Sequence, residues 1–162
     1  MGKQSSDSGR GIKSIREKYA HAVRCKCEES GCRLGLKNLA EYVILRGDNL
    51  CSDQRMCDCI VFHARRSIII GVVELKSKTV HARTVVKKLQ NSSKMASTIM
   101  GECFGEHQQF EILPIVLAKS WAPVEMRILA RGKTRVKGKK QDILMRRCGE
   151  DFSGIMSGYL RG

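Results

Sequence analysis

Residues 67–76, Ser-Ile-Ile-Ile-Gly-Val-Val-Glu-Leu-Lys, constrain the chain more than any other stretch. The run is dominated by β-branched Ile and Val, the composition of a central strand buried on both faces. Residues 57–63 read as a preceding strand, joined to it by the basic turn His63-Ala64-Arg65-Arg66. The charges fall at one end of this pair. Asp58 opens the first strand, and Glu74 and Lys76 interrupt the end of the second. A spacing of two on a strand sets Glu74 and Lys76 on one face, and a short antiparallel pairing brings Asp58 beside them. Two carboxylates and an ammonium then meet at one end of an apolar sheet, where charge is costly unless paired or bound to a metal. Hard oxygen ligands from Asp58 and Glu74 suit Mg²⁺ or Mn²⁺. Lys76 would orient or deprotonate an attacking water, or offset charge in the transition state.

An Asp followed by Glu-x-Lys on adjacent strands resembles the PD-(D/E)xK nuclease superfamily. The matched residues are Asp58, Glu74 and Lys76, and the resemblance covers roughly residues 42–119. Cys57 stands where the motif's proline would be. The resemblance implies an α/β fold with a restriction-endonuclease-like core, a central mixed four-stranded sheet in α-β-β-β-α-β order. It also implies a metal-supporting Glu on the helix before the first strand, for which Glu17 and Glu41 are the two candidates. Gln90, fourteen residues beyond Lys76, resembles a Gln that some branches set near the water. A homodimer, or a partner protein of a defence or repair system, is implied as the assembled form.

The rest of the chain supplies the elements this core needs. Residues 1–10 are expected to be disordered, 11–149 to form one nuclease-like domain, and 150–162 to be a mobile tail rich in Gly and Ser. Ile12, Ile15, Tyr19 and Ala22 or Val23 recur at helical spacing over residues 11–23. A first strand is expected over 41–46, with a turn at Gly47-Asp48-Asn49. Residues 80–103 read as a helix with Val85, Leu89, Met95 or Ala96, Ile99 and Cys103 inward. Residues 110–119 read as a strand parallel to that of Glu74, and Pro114 points to an edge or a bulge there. Residues 126–130 suggest a short strand. Residues 133–146 suggest a C-terminal basic β-hairpin turning at Lys137-Gly138-Lys139-Lys140, with Val136 and Ile143 inward and its cations facing a phosphate backbone.

Charge selects the partner. Thirty Lys and Arg against sixteen Asp and Glu give a net charge of +14, which favours nucleic acid over acidic small molecules. DNA is the expected partner, with RNA left open. One Trp, three Tyr and four Phe supply no evident stacking platform. No apolar run is long enough to span a membrane and no basic amphipathic helix stands out, so a cytoplasmic protein without membrane attachment is expected.

Eight cysteines in such a chain are expected as thiols or metal ligands before disulfides. Cys25, Cys27 and Cys32 form a Cys-x-Cys-x₄-Cys cluster which, with Cys51, would close a structural Zn²⁺ site or hold an iron–sulfur cluster. Cys57 and Cys59 should both point away from Asp58 and pack. A non-catalytic nucleic-acid-binding module stapled through the N-terminal cysteines is the principal rival, and a partner-binding subunit the second.

Overall fold

The computed structural model describes residues 3–161. The chain runs through α1 (Lys3–Lys18), β1 (Val23–Arg24), β2 (Cys27–Glu29), β3 (Cys32–Leu34), β4 (Tyr42–Arg46), β5 (Cys59–Ala64) and β6 (Ile68–Lys76). It continues through α2 (Ala82–Cys103), β7 (Phe110–Ala118), α3 (Pro123–Arg131), β8 (Lys133–Val136), β9 (Lys139–Asp142), β10 (Leu144–Arg147) and α4 (Phe152–Arg161). One six-stranded sheet, ordered β1-β4-β5-β6-β7-β10, organises it. β1, β4, β5 and β6 pair antiparallel in turn, and β6, β7 and β10 are parallel. The fold is α/β with a mixed central sheet flanked by helices. Six strands replace the four expected, because β1 adds to one edge and β10 to the other.

β6 is central, and its residues from Ile68 to Leu75 are all buried. Alternation sorts the core into two layers. Val43, Ile60, Phe62, Ile70 and Val72 face α1 and α2, meeting Ile15, Val85, Leu89 and Ile99. Ile44, Val61, Ile69, Val73 and Leu117 face the β2–β3 hairpin and α4, meeting Cys27, Leu34, Phe152 and Ile155. Gly71 serves the second layer. A Cβ there would come within 2.7 Å of the Phe152 ring, so a bare backbone lets the ring lie on the sheet.

Several expectations are corrected. Residues 150–162 carry α4, because Phe152, Ile155 and Met156 recur at helical spacing and are buried despite the Gly and Ser between them. α1 begins at Lys3, inside the segment expected to be disordered, and Ser8 within it is buried. Residues 126–130 lie in α3, not a strand, since Pro123 occupies the first helical turn and Glu125 follows it. Glu125 also accepts the Ala82 N–H at 2.7 Å, capping α2 from outside. β7 is not an edge strand. β10 covers it only from Ile115 onward, so Pro114 falls just outside the covered span. The Cys-rich loop is the β2–β3 hairpin, turning through Ser30 and Gly31 at φ of 48° and 81°. The C-terminal hairpin forms as expected from β8 and β9, with Val136 and Ile143 buried. No helix among the described residues is long and apolar enough to cross a membrane.

Candidate active site

The register of β5 on β6 builds the site. Cys59 aligns with Val73, which carries Asp58, one residue earlier, to the level of Glu74. Asp58 Oδ2 accepts the Leu75 N–H at 2.7 Å, and the Asp58 carboxylate lies close enough to accept from Glu74 when that group is protonated. The Asp58 backbone is held as well. Its carbonyl accepts the Gly47 N–H at 3.1 Å, and a side chain at Gly47 would collide with the Cys57 carbonyl. The Gly47-Asp48-Asn49 segment, a short 3₁₀ turn, therefore fixes Asp58 in place.

Glu74 lies on the α2 side of the sheet, and its side chain is 1 % exposed. Lys88 of α2 places its ammonium 3.3 Å from Glu74 Oε2. That ammonium is within ion-pair range but not aligned as a donor, so Oε2 is buried without a hydrogen bond. Lys76, two residues on, shares the face and adds positive charge. Burial pushes the Glu74 carboxyl up from 4.5 to about 8. The hydrogen bond to Asp58 and its charge push the same way, while Lys88 and Lys76 oppose them. At neutral pH the pair is thus best satisfied by one shared proton or by a cation in its place.

A divalent cation fits these residues. Two carboxylates converge, and one buried oxygen has no donor. Among the described residues no group of three or more His, Cys, Asp and Glu side chains is arranged around a metal position, so protein side chains would supply two ligands. Cys57 lines the site behind Asp58. Its N–H donates to Ser92 Oγ at 2.8 Å, and its thiol is pushed far up by burial, and further by the charges of Glu74 and Asp58. It is a neutral wall, not a nucleophile.

Asp58, Glu74 and Lys76 are brought together as expected, and the other candidates are elsewhere. Gln90 pairs with the Arg135 backbone, donating to its carbonyl at 2.8 Å and accepting its N–H at 2.7 Å. Its amide mimics a neighbouring peptide group and clamps β8 to α2. Glu17 is 70 % exposed on α1, 4.0 Å from Lys13. Glu41 precedes β4 at the His63 end of the sheet, about 20 Å along the strands from Asp58. Asp48 pairs with Arg46 at 3.7 Å. His63 is not a surface turn residue: it is 5 % exposed, its Nδ1–H donates to the Glu41 carbonyl at 3.1 Å, and burial lowers its pKa.

The cysteine cluster is corrected too. Cys27 is bonded to Cys59 and Cys32 to Cys148, while Cys25 is exposed and Cys51 half-buried as free thiols. The four residues expected at a Zn²⁺ or iron–sulfur site are therefore not gathered. Cys57 and Cys59 lie in opposite layers, because the ladder begins only at Cys59 and the alternation does not reach Cys57. Lys88 was missed. Its signal was a lysine three residues after Val85 and four before Ser92, on the inward face of α2.

No family model, no curated protein and no solved structure matches this chain.

Proposed function

We propose that the protein is a divalent-metal-dependent nuclease of PD-(D/E)xK type that hydrolyses DNA phosphodiester bonds. The observation that carries this reading is the meeting of Asp58 and Glu74, with Lys76 and Lys88 beside them, at the end of a buried sheet. The run α1, β4, β5, β6, α2, β7 supports it, since it keeps the order of a restriction-endonuclease-like core. The position supports it as well: ligands of open α/β sheets bind outside the carboxyl ends of the parallel strands, and Glu74 and Lys76 are at such an end.

Asp58 and Glu74 would hold Mg²⁺ or Mn²⁺ with their carboxylates. When bound, the ion supplies Lewis acidity toward the phosphate and lowers the pKa of water there. The Leu75 N–H keeps Asp58 aimed, which limits reorganisation. Lys76 orients the attacking water and offsets charge developing on the phosphate oxygens. Lys88 stabilises the ionised form of Glu74 once its proton leaves. The water oxygen forms the new bond to phosphorus as the water gives a proton to solvent, the bond to the sugar oxygen breaks, and that oxygen leaves with the electron pair and is protonated from solvent.

The test is cleavage of supercoiled and linear DNA with Mg²⁺ or Mn²⁺ by the parent protein and by Asp58→Ala. The proposal expects the parent to cut and the variant to lose at least about a hundredfold in rate while still binding DNA. A pure parent that cuts with neither ion overturns it and leaves a non-catalytic nucleic-acid-binding module.

A further inference from the structure

Beside the carboxylates, the ends of β6, β7 and β10 stand in line, with Lys76 level with Ala118 and Ala118 level with Arg147. The Lys119 N–H donates to the Lys76 carbonyl at 3.2 Å, and the Cys148 N–H to the Ala118 carbonyl at 3.3 Å, so the three ends form one ledge. The β2–β3 hairpin faces this ledge across a cleft of about 480 Å³ whose lining includes Arg33, Lys119 and Arg147. Both walls are fixed, because Cys32 ties the hairpin to Cys148 on the ledge and Cys27 ties it to Cys59, next to Asp58.

Cations outnumber acids along this cleft: Arg33, Lys119 and Arg147 line it with Glu28, and the Glu150 carboxylate accepts the Arg147 backbone N–H at 2.5 Å. Lys13, Lys18, Arg46, Lys88 and Lys133 each have a carboxylate within 4.0 Å. Among the described residues, Arg33, Lys119 and Arg147 have none. The acid in the lining is Glu28, level with Arg33 on the hairpin, yet the two form no ion pair. Three exposed cations along one cleft, none held in an ion pair, suit a polyanion that supplies opposite charge. Strand spacing sets the ledge within about 5–10 Å of Lys76; the hairpin lies on one face of the sheet and Glu74 on the other, so one nucleic-acid strand would reach both by passing over the ends of β6 and β7.

We infer that the cleft formed by Arg33, Lys119 and Arg147 holds the phosphodiester backbone of a nucleic acid next to the scissile position. The inference rests on the nucleic-acid reading above and gives it a surface. It displaces the basic β8–β9 hairpin as the principal grip. The hairpin's Lys137 lies over Phe110, 5.8 Å from its ring centroid, and Phe110 is level with Ile68 at the start of β6. That is about 20 Å along the strand from Glu74.

The test is the affinity of a short DNA duplex, measured by fluorescence anisotropy in EDTA so that catalysis plays no part. Three proteins are compared: the parent, the triple variant Arg33→Gln, Lys119→Gln, Arg147→Gln, and the triple variant Lys137→Gln, Lys139→Gln, Lys140→Gln. The cleft variant should bind at least about thirtyfold more weakly and lose about 2–3 from the slope of log affinity against log salt. The hairpin variant should change less than about threefold. Lys119→Gln alone, an exposed substitution at the strand end, should show part of the same loss and guards against misfolding of the triple. Retained affinity in the cleft variant, a dominant loss in the hairpin variant, or no binding by the parent overturns the inference. A parent that binds through the cleft but never cleaves sinks the nuclease reading alone; one that cleaves with the cleft variant unimpaired sinks the cleft alone.

Discussion

Glu74 faces Asp58 across the β5–β6 pairing, close enough to donate to it when protonated, while its Oε2 lies 3.3 Å from Lys88 without an aligned donor. The carboxyl is pushed up to about 8 mainly by burial, so the pair carries a proton wherever no cation replaces it.

The first consequence is a pH-dependent stability. The native state holds the Glu74 proton up to about 8, whereas an ordinary Glu releases it near 4.5. Between those values the folded protein binds more protons than the unfolded one, so stability falls as pH rises. In EDTA, the Tm of the parent should decline from pH 6 to pH 9, by the equivalent of a few kcal/mol. Glu74→Gln should flatten that decline. A variant with an unchanged slope would show that Glu74 is not the group responsible.

Lys88 opposes the rise of the Glu74 pKa. Lys88→Met should therefore raise it further and move the rising limb of the pH–rate profile to higher pH, because Glu74 must ionise to hold a cation. The profile of kcat/KM with Mg²⁺ tests this. A shift toward acid pH would contradict the assigned role.

The disulfides close loops with sequence separations of 32 and 116 residues. Chain-entropy arguments give about 3–5 kcal/mol for each. A dithiol reductant, itself oxidised in the exchange, should lower Tm sharply and free the β2–β3 hairpin from both Asp58's neighbour Cys59 and the ledge at Cys148. Thermal melts with and without reductant measure the effect. Equal Tm values would mean that the bridges contribute nothing to stability in solution.

Gln90 makes two hydrogen bonds to the Arg135 backbone and none to the carboxylates. Gln90→Ala should cost about 1–3 kcal/mol in stability and leave kcat with Mg²⁺ unchanged. A collapse of kcat would return Gln90 to the active site.

The site was legible in the sequence where its signal was local. Glu74 and Lys76 interrupt an apolar β-branched run, and alternation alone sets them on one face. Asp58 needed only an antiparallel pairing. Lys88 was harder to see, since one lysine on a long amphipathic helix shows nothing until the helix is laid on the sheet. Gln90 failed as a candidate for the same reason: its partner, the Arg135 backbone, is 45 residues away. α4 was hidden by composition, because its glycines and serines masked Phe152, Ile155 and Met156. The disulfides were hidden by distance, as Cys32 and Cys148 approach only once β10 joins β7 and the hairpin folds over the sheet.

Manganese binding tests the central claim most directly. Titration of Mn²⁺ followed by electron paramagnetic resonance should show saturable binding to the parent at neutral pH. Asp58→Asn and Glu74→Gln should each abolish it while far-ultraviolet circular dichroism stays that of a folded protein. Binding by both variants as tight as the parent's, or none by the parent, would contradict the account.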